Sequence, residues 1–187
     1  MTGMVRGANI ALTKELPDLA RLALGVSWDA GADDALVENL VLAAILCDAD
    51  GRATSPDDFV FFNQAVSTDL SVAEVESALG DDAEQIEVDL AAVPAAVARV
   101  VVVLYVNEGS PRRRTLGQLR ECRVRLLDAS SSTQVVASEN LAPAFQHETA
   151  VVLGEVYRHR DDWKFKVVGQ GYSSGIVGVA EQYGLPL

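Results

Sequence analysis

Carboxylates are the side chains of this chain best placed to do chemistry. Residues 1–100 hold 18 of the 27 acids beside only 5 bases, whereas residues 101–187 hold 9 acids and 10 bases. The first part therefore carries −13 and the second +1. The acids bunch at residues 29–34 (DAGADD) and again at Gly80-Asp81-Asp82. A hard cation needs several carboxylate oxygens held together, so such bunches are candidates for a cation site. The other reading is a solvated acidic surface that keeps the protein soluble.

The remaining reactive residues suggest less. Cys47 and Cys122 sit in apolar runs with no Cys or His at zinc spacing, so both are expected as buried, inert thiols. His147 and His159 have no carboxylate at useful spacing, and no G-x-S-x-G occurs. Gly169-x-Gly171 lacks the third glycine of a dinucleotide loop, and Ser173-Ser174 reads as a helix N-cap. Arg112-Arg113-Arg114 forms a basic loop, either solvated or facing phosphate, an anionic lipid surface or an acidic neighbour chain. No nucleophile–base arrangement is visible, so no enzyme is expected. A net charge of −12 and a pI near 4.5 disfavour nucleic acid as a partner.

The elements that must position these residues follow mostly a period of two. Residues 9–13, 21–28 and 85–90 alternate, and Cys122, Val124 and Leu126 alternate with Glu121, Arg123 and Arg125. Residues 99–106 (RVVVVLYV) form a continuous run rich in β-branched residues, as in a central strand buried on both faces. Residues 37–47 read as one long strand, followed by a turn at 48–51 (DADG). Residues 59–62, 135–137, 150–157 and 163–168 complete the strands, while 69–83 reads as acidic and irregular. Ile176, Val177, Ala180 and Tyr183 fall at helical spacing within 173–183. Trp28, Phe61, Phe62, Trp163 and Phe165 are expected in the core. The sum is an all-β protein, a two-sheet antiparallel β-sandwich with one short C-terminal helix and a few helical turns, in one domain over residues 1–187. The apolar runs at 40–47 and 100–106 are too short to span a bilayer. No cationic apolar segment follows Met1, so a soluble cytoplasmic protein is expected.

Several segments in order resemble the TerD family of tellurium-resistance and stress proteins. They are residues 7–29 (GANIALTKELPDLARLALGVSWD), 57–64 (DDFVFFNQ), 81–94 (DDAEQIEVDLAAVP), 116–119 (LGQL), 148–158 (ETAVVLGEVYR), 163–165 (WKF) and 168–172 (VGQGY) with Gly175. The resemblance implies a β-sandwich and a non-enzymatic, calcium-binding module in resistance to tellurite and other stresses. It also implies partners among other tellurium-resistance and stress proteins, one of them membrane-bound, which places the chain in the cytoplasm or at the inner face of the membrane.

Family members carry D-F-D-L-D-A-S on one strand and a G-D-N-x-T-G loop followed by D-D-E. Here the alternating acidic positions become Val37, Asn39 and Val41, and the loop is deleted, Glu76-Ser77-Ala78-Leu79 leading straight into Gly80-Asp81-Asp82. By resemblance the surviving calcium ligands are Asn39, Asn63, Asp81, Asp82 and Glu84, with Ala83 inserted before the last. Fewer carboxylates weaken a calcium site. The expectation is therefore weakened or partly lost Ca²⁺ binding, with Asp33 or Asp34 available to compensate. The alternative is a metal-independent structural or interaction protein whose old site is filled by apolar residues.

Overall fold

The computed structural model describes residues 3–107 and 113–187. In chain order the elements are β1 (Asn9–Ala11), β2 (Arg21–Asp29), α1 (Asp34–Asn39), β3 (Leu40–Cys47), β4 (Phe59–Val60), β5 (Val72–Glu74), β6 (Glu84–Asp89), β7 (Arg99–Val106), β8 (Glu121–Asp128), β9 (Thr133–Ala137), β10 (Ala150–His159), β11 (Asp162–Tyr172) and α2 (Ile176–Tyr183). A six-stranded sheet runs β1-β11-β10-β7-β3-β4, and a five-stranded sheet runs β5-β6-β2-β8-β9. Every strand pair in both is antiparallel. The expected two-sheet sandwich is the architecture observed.

Alternation explains which faces meet. Leu22, Leu24 and Val26 of β2 and Cys122, Val124 and Leu126 of β8 turn inward against Val100, Val102 and Leu104 of β7. Burying side chains of this size stabilises by roughly 1.5–3 kcal/mol each. β7 is apolar on both sides because the six-stranded sheet has a second covered face. There Val101, Val103 and Tyr105 pack in one cluster with Val179, Ala180 and Tyr183 of α2. That helix stops at Gly184, whose φ of 66° is the left-handed conformation glycine adopts freely. Its N-cap is Gly175, with no side-chain cap, so Ser173-Ser174 does not serve as the expected cap.

Three local expectations are corrected. Residues 37–47 are not one strand: Asp33 accepts the N–H of Leu36 at 3.1 Å and caps α1, which inserts fully buried Leu36 into the core before β3 begins at Leu40. A capped helix of this length leaves too little sequence for a 3.6 period to declare itself. Residues 69–83 are not wholly irregular, since β5 edges the five-stranded sheet. Phe62 is 51 % exposed rather than core, at a turn closed by two bonds between the backbones of Phe61 and Gln64. Trp163 and Phe165 are buried as expected, and Trp28 and Phe61 are half-buried at the edge of the packing.

Candidate functional site

The five sequence-derived ligand candidates do not converge on one point. Asn39 ends α1, and its Nδ2 donates back to the carbonyl of Ala35 at 2.7 Å. Asn63 is exposed at the turn after β4, and Asp81 is exposed before β6. Val37 faces solvent on α1, whereas Val41 is buried on β3 against the α2 side of its sheet. Positions 37, 39 and 41 therefore do not share a strand face. Asp33 accepts both Leu36 N–H and the Arg114 guanidinium, the latter at 2.9 Å, and Asp34 is exposed in the first turn of α1. Asp33 is thereby held by Leu36 and Arg114, away from the other five.

Glu84 is the candidate that reaches inward. It opens β6, and its Oε2 accepts the backbone N–H of Leu42 at 3.2 Å, from the opposite sheet. Burial pushes its pKa up, and the nearby Glu74 carboxylate adds to the rise despite that hydrogen bond. Glu74 ends β5 and is likewise pushed up by burial. The two carboxylates share a cleft of about 340 Å³ with Glu38, Val41, Phe62 and Asn107. The cleft lies where the edge strands β4 and β5 approach one another. Sequence reasoning missed Glu38, Glu74 and Asn107, which no spacing rule links. Glu74 in the Val72-Ala73-Glu74 strand was the available signal. Three carboxylates beside an exposed phenyl ring can receive a cationic or hydrogen-bond-donating group that carries apolar surface.

Asp82 is committed elsewhere. Its side chain is 4 % exposed and its Oδ1 accepts Arg125 Nε at 2.7 Å, while its Oδ2 accepts Gln85 Nε2 at 2.6 Å. Among the described residues no three of His, Cys, Asp and Glu gather where they could hold one metal ion. As arranged here, Asn39, Asn63, Asp81, Asp82 and Glu84 do not form the oxygen cage that Ca²⁺ requires, ~6–8 oxygens at ~2.3–2.6 Å.

The TerD domain model matches residues 1–183. The chain belongs to the TerD family. It is 34 % identical over 184 residues to the tellurium resistance protein TerD of Serratia marcescens, covering 96 % of this chain and 95 % of that one. It is 34 % identical over 188 residues to general stress protein 16U of Bacillus subtilis (strain 168), covering 97 % and 96 %. A solved homologue of telluride resistance protein (TerD) from Streptomyces coelicolor A3(2) shares the fold, with a TM-score of 0.66 at 19 % identity over 87 % of this chain and 95 % of that one.

The other reactive residues of this TerD domain are accounted for by packing. Cys47 and Cys122 are both buried, and burial pushes each thiol up to about 12. His147 and His159 are exposed. Of the arginine run, Arg114 fastens α1 through Asp33, Arg113 is exposed, and Arg112 lies outside the described residues. Gly169 has a φ of 66° within β11, a conformational role rather than a phosphate loop. Among the described residues no helix is long and apolar enough to cross a membrane.

Proposed function

We propose that this TerD-family chain is a non-enzymatic binding and scaffold module in tellurite and general stress resistance, with calcium binding weakened relative to the family pattern. Its near full-length kinship with a tellurium resistance protein and a general stress protein carries this reading. The Glu74–Glu84 cleft beside Phe62 supplies a surface on which a partner's cationic side chain can dock. The partners are other tellurium-resistance and stress proteins, a membrane-bound one among them, met in the cytoplasm or at the inner face of the membrane. Where calcium acts, it acts weakly, through rearrangement of Asn39, Asn63, Asp81, Asp82 and Glu84.

A second reading, the metal-independent interaction protein, is favoured by two observations. Asp82 is paired with Arg125, and Val41 is packed into an apolar cluster.

The test is complementation of a tellurite-sensitive strain lacking its own TerD protein, with the wild-type chain and with Glu74→Gln/Glu84→Gln. Restored resistance that the double variant loses, while still folding, supports docking at the cleft. No resistance from the wild-type chain overturns the functional reading. A thermal melt of metal-stripped protein with calcium or magnesium then separates the two readings. A calcium-selective rise in Tm keeps the first, and no shift at millimolar calcium selects the second.

A further inference from the structure

Gln85, Gly25 and Arg125 stand in one cross-strand row over β6, β2 and β8 of the five-stranded sheet. Glycine in the middle leaves a gap, and the Asp82 carboxylate lies in it: a Cβ at Gly25 would fall on Asp82 Oδ2. Arg125 closes the gap from one side. Its Nε donates to Asp82 Oδ1 at 2.7 Å, its Nη2 to Leu79 O at 3.2 Å and its Nη1 to Gln134 Oε1 at 3.4 Å. Gln85, fully buried, closes it from the other side. Its Nε2 donates to Asp82 Oδ2 and to Leu79 O, and its Oε1 accepts the N–H of Leu79 at 2.8 Å. Gly80 adopts a φ of 69°, and a Cβ there would sit 2.7 Å from Arg125 Nη2, so the backbone approaches the guanidinium because no side chain intervenes.

We infer that Arg125 is the resident cation of this acidic loop: its guanidinium gathers oxygens from Leu79, Asp82 and Gln134 and fixes the loop that walls the Glu74–Glu84 cleft, with no metal required. The chemistry is that of a cation site reduced to a planar fork. A guanidinium is permanently charged and offers five N–H donors at fixed angles, so it neutralises Asp82 and binds a loop carbonyl at once. By holding Leu79 and Asp82, it grips both sides of Gly80-Asp81 and leaves Asp81 exposed. The gripped loop matters for binding because Val75, Glu76, Ala78 and Ala83 line a neighbouring cleft of about 350 Å³ that shares Glu74, Glu84 and Phe62 with the first. This inference deepens the metal-independent reading above. Failure of that reading shows as calcium-dependent protection in the wild type, whereas failure of the Arg125 contact alone shows as unchanged protection in the Arg125 and Asp82 variants.

The experiment is amide hydrogen exchange over residues 75–84, in chelator, in calcium and in magnesium, for wild type, Arg125→Gln, Arg125→Lys and Asp82→Asn. Wild-type exchange is expected to be the same in chelator and in calcium. In Arg125→Gln the loop should exchange at least about tenfold faster while β7 and β10 keep their protection, since a largely buried carboxylate has lost its partner. Arg125→Lys should restore part of the protection, because an ammonium keeps the charge without the fork. Asp82→Asn, nearly isosteric, gives the same loosening if Arg125→Gln fails to fold. Calcium-dependent protection in the wild type overturns the inference. So does a loop whose protection is unchanged in both Arg125→Gln and Asp82→Asn.

Discussion

Glu84 and Leu42 join the two sheets through a single bond, the Leu42 N–H donating to the Glu84 carboxylate across the sandwich at 3.2 Å. β4 pairs with β3 only at Ala44 and Ile45, so the edge of β3 beyond them lacks a strand neighbour at Leu42. Half-buried Glu84 supplies the missing acceptor to Leu42, which is fully buried. Glu84→Gln keeps an acceptor and Glu84→Ala does not. The alanine variant should be less stable than the glutamine variant by about 1–3 kcal/mol, the cost of a buried donor left unpaired. Denaturant unfolding of the two at neutral pH measures it, and equal stabilities would mean that water replaces the carboxylate at no cost.

The same carboxylate gives a pH signature of definite sign. Burial holds the folded-state pKa of Glu84 above its ordinary value of 4.5. A raised carboxyl binds its proton more tightly in the folded protein, so its contribution to stability is fully present below 4.5 and is lost as pH rises through the folded value. Asp33 runs the opposite way, held low first by its bond to Arg114, so its contribution is lost as pH falls. Glu84→Gln removes the first effect alone. The glutamine variant's stability advantage over wild type should be smallest below pH 4.5 and grow as pH rises above it. Thermal melts of the pair from mildly acidic to neutral pH read this difference directly. A constant difference across the range would place Glu84 in solvent.

Gly25 is the residue on which the Asp82 latch depends for space. Gly25→Ala puts a methyl group on the Asp82 carboxylate, and overpacking of this kind costs about 1–3 kcal/mol. In an Asp82→Ala background the obstruction is gone, so the cost of Gly25→Ala should shrink markedly. A double-mutant cycle by urea unfolding gives the coupling. Additive effects would show that the two residues do not meet.

Both thiols should be silent in the native protein. Cys47 and Cys122 are buried, and burial raises each to about 12, so at pH 8 little thiolate exists and none is accessible. A chromogenic disulfide reagent should label neither in native buffer and both in denaturant. Rapid native labelling of either would show that the thiol reaches solvent and is not the inert core residue described above.

The sandwich was legible in sequence where one local rule decides the outcome. Cys122, Val124 and Leu126 alternate against three wet residues because β8 has one covered face, and residues 100–106 are apolar throughout because both faces of β7 are covered. The site was less legible because it is made by pairings remote in sequence. Arg125 reads as one wet residue among several on β8, and its partner Asp82 lies 43 positions away. The space that lets them meet is a register fact, Gly25 standing between Gln85 and Arg125, which no spacing along the chain expresses. Glu74 and Glu84 meet for a similar reason, across an edge closed by a strand of three residues. At Val37 the error was local: alternation continued past Leu40 on paper, while the Asp33 cap turned the chain into a helix.

That break in the backbone separates two positions that alternation makes equivalent. Val37 is 41 % exposed on α1, and Val41 is 9 % exposed on β3 among Ala43, Phe59 and Tyr105. An aspartate at Val37 stays hydrated, and Asp and Val have similar helix propensities, so Val37→Asp should change stability by no more than about 0.5 kcal/mol. An aspartate at Val41 is placed in the apolar cluster, at the edge of the cleft that already holds Glu74 and Glu84. Val41→Asp should therefore cost about 2 kcal/mol or more, from lost apolar contact and a poorly solvated charge. Part of that cost should return on acidification, as the new carboxyl becomes neutral, and the same acidification should leave Val37→Asp unchanged relative to wild type. Chemical unfolding of both variants at two pH values decides it. Equal costs would mean that residues 37–41 are extended in solution, with both side chains on one face.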